Sequence, residues 1–307
     1  MKLFVLIYMF ATILIGGELI TPLPLKTSFN KEKALLGKKL FSDTILSKNK
    51  TISCNSCHNL DTNGADITSV SFGVEGRSGK FNTPTVFNAL FNFKQFWDGR
   101  ADNLKEQSLL PIQEYSEMDL HLDIAVQRVF KHRKYRYIFE KLYSDGVTSE
   151  NIADALTEFE KTLITPNAKF DRYLMGKVVL SKEELEGFNI FKSKGCISCH
   201  HGINIGGNMF QKFGAVIDKK VFEKGRFNTT KRVGDLFFFK VPSLRNVTET
   251  APYFHTGKFY SLKDAIAKMA YHQLGMKITD YEINLIEIFF KTLKGEYPEI
   301  LKEKDIF

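Results

Sequence analysis

Apolar residues along this chain fall mostly three or four positions apart, the period of a helix with one buried face. Ile152, Leu156, Phe159 and Leu163 form one such stripe, with Ser149 in the place of an N-cap. Ser181 and Glu184 make a capping box ahead of Leu185, Phe188 and Phe191. Ser261 with Asp264 opens a helix carrying Leu262, Ile266, Met269 and Gln273 on one face. Thr279 with Glu282 opens another that bears Ile283, Ile286, Phe289 and Leu293. The Gly-rich stretch 202–250 has no helical period and predicts long loops with a short hairpin around Leu236–Val241. Thr165-Pro166-Asn167 interrupts the pattern near mid-chain, so a domain boundary is expected there, with units 18–166 and 167–307. The fold class is mainly α.

The start of the chain follows a different pattern. Lys2 precedes an apolar run from Leu3 to Ile15, then Gly16-Gly17 and Glu18. A short basic segment and a run of this length suit a secretory signal over residues 1–17, and the run is short for a membrane span. An uncleaved N-terminal anchor is the competing reading.

Cysteine usage changes the picture most. The chain has four cysteines, and all lie in Cys54-Asn55-Ser56-Cys57-His58 and Cys196-Ile197-Ser198-Cys199-His200. Cys-x-x-Cys-His is the attachment site of c-type haem: two thiols add across the porphyrin vinyl groups, and the adjacent imidazole binds iron. Structural zinc needs four closed ligands in another cadence, and a redox Cys-x-x-Cys wants a βαβ setting that is absent here. Two covalent haems are therefore expected, held by Cys54, Cys57 and His58 and by Cys196, Cys199 and His200, one in each helical domain. Haem attachment and the signal-like start together imply a periplasmic location. No disulfide is expected, since every thiol is committed.

Composition adds less. The chain is 43% hydrophobic with 28 Phe, as a haem-lined core or any Phe-rich core would be. A net charge of +8 serves either to steer an anionic partner or to keep the chain soluble. Lys131-His132-Arg133-Lys134-Tyr135-Arg136 reads as a solvated helix face, and nothing calls for nucleic acid.

Several strings make the chain resemble the bacterial di-haem cytochrome c peroxidases. They are the two haem motifs, Asn82-Thr83-Pro84-Thr85-Val86-Phe87-Asn88, Gln95-Phe96-Trp97-Asp98-Gly99-Arg100 and Leu163-Ile164-Thr165-Pro166-Asn167. Val241-Pro242-Ser243-Leu244-Arg245-Asn246 and Thr250-Ala251-Pro252-Tyr253-Phe254-His255-Thr256-Gly257 complete the set. The resemblance runs from about residue 30 to 293. It implies two unequal haems: a peroxidatic one on His58, and a high-potential one on His200 that takes electrons from a small c-type cytochrome or cupredoxin.

The resemblance also implies residue roles. Met269 matches the axial methionine of the second haem; taken alone it reads as a core methionine, and His272 and Met276 are neighbouring alternatives. Trp97, the single tryptophan, matches the residue between the haems. Glu117 and Gln107 match the peroxidatic pocket, where a carboxylate can act as acid and base on hydrogen peroxide. Asn82, Thr250 and Pro252 match a calcium site between the domains, built from neutral oxygen ligands. Many members of the family are homodimers.

One position departs. Phe72 stands where many members have a histidine that caps the peroxidatic iron, and the loop from Asn59 to Phe81 contains no His, Met, Cys or Tyr. Lys80 is the only good candidate ligand in that loop. An open peroxidatic site is expected, with Phe72 as a hydrophobic plug or His121 as a replacement ligand as the competing outcomes. Two other functions are kept in view. A di-haem oxidase of the methylamine-utilisation type has tyrosine where Met269 stands, and a non-catalytic electron carrier has no need of Glu117 and Gln107.

Overall fold

A computed structural model of the protein describes residues 19–217 and 223–304. The expected signal segment 1–17 lies outside the described residues.

The fold is mainly helical. Before mid-chain come α1 (Lys31–Ser42), α2 (Cys54–Cys57), α3 (Leu104–Gln113), α4 (Leu122–Lys131), α5 (Arg133–Leu142) and α6 (Ser149–Glu160). After it come α7 (Lys169–Leu174), α8 (Lys182–Ser193), α9 (Phe227–Thr230), α10 (Leu262–Leu274) and α11 (Asp280–Lys291). Two short strands, β1 (Phe210–Lys212) and β2 (Phe238–Lys240), pair antiparallel with Phe210 opposite Lys240. The hairpin expected within Leu236–Val241 is therefore not local. Its one strand, β2, finds its partner across a long connection, because a chain turn brings residue 210 alongside.

The capping boxes at Ser181/Glu184 and Thr279/Glu282 form as read, and Ser261 accepts from the Asp264 N–H. At α6 the cap is Thr148, not Ser149: the Thr148 side chain accepts from Asn151 N, which draws Ser149 into the first turn.

Two apolar cores organise these helices. The first gathers Leu36, Leu40 and Phe41 of α1 with Ile152, Leu156 and Phe159 of α6, closed by Val129, Tyr135 and Phe139. The second gathers Phe170, Phe188 and Phe191 with Ile286, Phe289 and Phe290. Each is built on one close helix crossing that only glycine permits. A Cβ on Gly37 would lie 1.9 Å from the Ala155 carbonyl oxygen, and one on Gly187 would lie 2.0 Å from that of Leu285.

The first and last described segments cross the expected division near residue 166. Ile20 is buried in the second core, with Arg245 Nη2 donating to Thr21 O at 3.2 Å. Ile300 is buried in the first. The mid-chain segment is itself buried: Asn88 Nδ2 and Asn246 Nδ2 both donate to Thr165 Oγ1, at 2.7 and 2.9 Å. Three of the recognised strings thus meet at one hydroxyl between the cores.

Candidate functional site

The first haem motif is a single helical turn, α2, with a reciprocal cap: Ser53 N donates to Ser56 Oγ at 3.0 Å. The turn ends at His58, whose backbone N–H bonds to Cys54 O at 2.9 Å. His58 Nδ1 lies 3.2 Å from Gly64 O. With the proton on Nδ1, that contact leaves Nε2 as the free ligand atom. Burial pushes the His58 pKa down, so the ring is neutral and able to ligate.

His58 opens on a cavity of about 680 Å³ that Cys54, Cys57, Gln107 and Glu117 also line. Gln107 sits on α3 one turn before Pro111, which withholds the N–H that would have bonded the Gln107 carbonyl. Glu117 follows in the turn that folds back on this helix, where Met118 N reaches Pro111 O and Leu120 N reaches Ile112 O. Burial raises the Glu117 pKa, while Arg100 and Lys80 oppose the shift. A carboxylate moved toward neutrality at the wall of a cavity is suited to exchanging protons.

The loop carrying Phe72 has a positioning role. Val74 N donates to Glu117 O at 2.8 Å, and a Cβ on Gly73 would lie 2.3 Å from both Ser116 O and Glu117 O. Arg77 ties the same loop to Tyr115 O and to Asp119. Phe72 is 56% exposed and does not line the cavity, so the hydrophobic plug is not formed. His121 is exposed at the start of α4 and does not line it either. The distal wall holds Lys80 but no histidine.

The second haem motif follows α8. His200 N donates to Cys196 O at 3.1 Å, and burial pushes the His200 pKa down to about 4 against the Ile205 and Pro242 carbonyls. Its cavity is smaller, about 170 Å³, and Cys196, His200 and Met269 share it with Ile266, Leu274 and Phe290. Met269 thus faces the cavity of His200 from α10. His272 is turned elsewhere, with Nδ1 3.2 Å from Ile217 O, and neither it nor Met276 lines this cavity.

Trp97 and Asn82 line both cavities. Trp97 Nε1 donates to Asn82 O at 2.8 Å, and Asn82 N donates to His255 O at 2.9 Å. Thr250 and Pro252 line the second cavity with Asn82, and the Asn82 amide is oriented by donation to Thr68 O at 3.2 Å. Among the described residues, no cluster of three His, Cys, Asp or Glu side chains offers a metal site.

The cysteines fit covalent haem. All four are unpaired, and burial raises the thiols of Cys57 and Cys196 to about 11 and that of Cys54 further. None is tied up in a disulfide, so each is free to bond to a vinyl carbon. Two residues escaped the sequence reading. Glu160, 5% exposed, lines the first cavity with its pKa raised to about 8 by burial. Its signal was a carboxylate four positions after Leu156, on an apolar stripe. Lys240 lines both cavities, and nothing in its spacing marks it.

Comparison with known proteins gives one family. The family model described as di-haem cytochrome c peroxidase matches residues 31–179. A cytochrome c551 peroxidase of Nitrosomonas europaea is 43% identical over 94% of this chain and 88% of its own length. Another, from Pseudomonas aeruginosa, is 41% identical over 88% of this chain and 81% of its own. A solved MauG-like protein associated with microbial copper homeostasis shares the fold with a TM-score of 0.78, at 24% identity, covering 90% of this chain and 93% of that one.

Proposed function

The chain belongs to the di-haem cytochrome c peroxidase family, and on that premise we propose that it reduces hydrogen peroxide to water at the His58 cavity with electrons received at the His200 cavity. The observation that carries this reading is shared lining. His58, Gln107 and Glu117 face one cavity, His200 and Met269 face the other, and Trp97 faces both.

Each core carries one c-type haem in this reading, the first on Cys54, Cys57 and His58, the second on Cys196, Cys199, His200 and Met269. When bound, the first haem iron supplies the atom at which peroxide coordinates, and the second supplies a path for electrons. The residues do the rest. A carboxylate oxygen of Glu117 takes the proton from the oxygen that approaches iron and returns it to the departing oxygen, so that water leaves. One peroxide, two electrons and two protons give two waters. The Gln107 amide hydrogen-bonds the incoming peroxide. The Trp97 indole shortens the gap between the two groups. A thioether on the second iron favours its reduced state, as an entry port for electrons requires.

The neutral oxygens of Asn82, Thr250 and Pro252 are the candidate calcium ligands. The donor in this reading is a small c-type cytochrome or cupredoxin. Attachment of haem c to thiols points to the periplasm, and no helix among the described residues is long and apolar enough to cross a membrane.

The test is steady-state oxidation of a reduced c-type cytochrome by peroxide, using protein matured where haem c is attached. Peroxide-dependent turnover is expected. Electron exchange without peroxide turnover would leave only a carrier.

A further inference from the structure

The boundary between the cavities holds a charge that the peroxide chemistry leaves unused. Lys240 ends β2 and is 7% exposed, and its side chain lines both cavities beside Trp97 and Asn82. Its backbone N–H donates to Trp97 O at 2.8 Å, which fixes this residue against the indole-bearing segment. Phe239, one residue earlier, stacks on His255 with ring centroids 4.0 Å apart, so the strand is held rigidly at the wall.

Among the described residues no acid pairs with the ammonium. Burial is the only influence on its pKa, which falls to about 8, and no hydrogen bond or ion pair engages its Nζ among the described residues. The other cations around the cavities are placed differently. Arg100 pairs with Asp98 at 3.1 Å, Lys194 pairs with Glu282 at 2.6 Å, and Lys80 is exposed. Burying an ammonium without a counter-charge is costly, because the charge loses its hydration and gains nothing in return. Such a cation is accommodated when an anion from outside the polypeptide meets it. Haem brings two carboxylates, and of these cations at the walls Lys240 is the one that is both buried and unpaired among the described residues.

We propose that Lys240 is the fixed counter-ion of a haem carboxylate at the wall beside Trp97, and that its charge raises the reduction potential of the haem it holds. A positive charge near the macrocycle favours the iron state of lower charge. Lys240 is thus a positioning residue: it acts on the orientation and potential of the bound group and does not touch peroxide. The inference rests on the reading of two covalent haems, which a mass measurement checks separately.

The experiment is a redox titration of the holoprotein, followed at the haem absorption bands, for Lys240→Met, Lys240→Arg and the unmodified chain. Lys240→Met should lower the midpoint potential of one haem while the mass still shows two. Lys240→Arg keeps the charge and should return that potential toward its original value, which a side chain that merely fills space would not do. Unchanged potentials in Lys240→Met overturn the proposal, as does an Arg variant displaced as far as the Met variant. If Lys240→Met fails to accumulate, Lys240→Gln should show the same fall. Loss of haem from both neutral variants with Lys240→Arg intact supports the counter-ion, and loss from all three overturns it. An unmodified protein carrying fewer than two haems would instead remove the reading beneath it.

Discussion

The two cavities are built on the same scaffold and differ in what they admit. Each follows a close helix pair: α1 against α6 through Gly37, and α8 against α11 through Gly187. Each ends in a Cys-x-x-Cys-His turn with a buried imidazole. The His58 side opens on about 680 Å³, walled partly by Glu117, Gln107 and Glu160. The His200 side opens on about 170 Å³, with Met269 set among aliphatic and aromatic side chains. One frame therefore serves two tasks. Room and a titratable wall suit a site that must admit peroxide and pass protons. A small, mostly apolar cavity with a thioether suits a site that need only hold an electron.

The sharpest way to break this contrast is to remove the proton-exchanging group from one side alone. Glu117→Gln should cut kcat/KM for peroxide by about 10²–10⁴-fold, the usual worth of a general acid–base group. Both haem potentials should stay in place. The pH profile gives an independent reading. The base form of Glu117 exists above its raised pKa, so activity in the unmodified enzyme should fall as pH drops through that value. In Glu117→Gln the acid limb should vanish. A retained limb would assign it to another group.

The second test acts on the other side. Met269→His should lower the potential of the C-terminal haem by on the order of 100 mV, a modest part of the ~0.8 V that axial ligands span. Turnover with the cytochrome donor should fall while haem content stays. Potentiometry that finds both potentials unchanged would make Met269 a core residue.

A third test asks whether the shared scaffold is shared in energy. Gly37→Ala and Gly187→Ala each force a Cβ against a carbonyl oxygen, and each should destabilise its own core by ~1–3 kcal/mol. Thermal unfolding of each variant, read with a probe in each half, should show the nearer half affected more. Equal loss in both halves would mean that the crossed termini and the Thr165 junction fuse the cores into one unit.

The smallest effect concerns the departure at Phe72. Because its side chain is exposed, Phe72→Ala should change stability by less than about 0.5 kcal/mol and leave turnover intact. The same geometry predicts a high-spin signal from the His58 haem in the fully oxidised protein by electron paramagnetic resonance. Two low-spin signals alone would reveal a sixth ligand and end the idea of an open site.

Much of this was legible without coordinates, for a physical reason. Capping boxes at Ser181/Glu184 and Thr279/Glu282 depend on atoms three residues apart, and the haem motifs on atoms within five. Spacing alone therefore reports them. The helical stripe through Leu156 and Phe159 reports a buried face in the same way, and with it the mainly α class. Thr148 displaced Ser149 as a cap because both carry a hydroxyl, and only the backbone decides which is extended.

What the tertiary structure decided are the relations between distant segments. Spacing does not say that β2 pairs with β1, that Ile20 joins the second core and Ile300 the first, or that Asn88 and Asn246 share the Thr165 hydroxyl. Nor does it say that the loop of Phe72 braces Glu117, or that Lys240 lines two cavities at once. Each of these depends on which distant group packs against or bonds to which. That partner lies dozens of residues away along the chain. The amino-acid sequence determined the elements and the two Cys-x-x-Cys-His turns; packing decided which side chains face them.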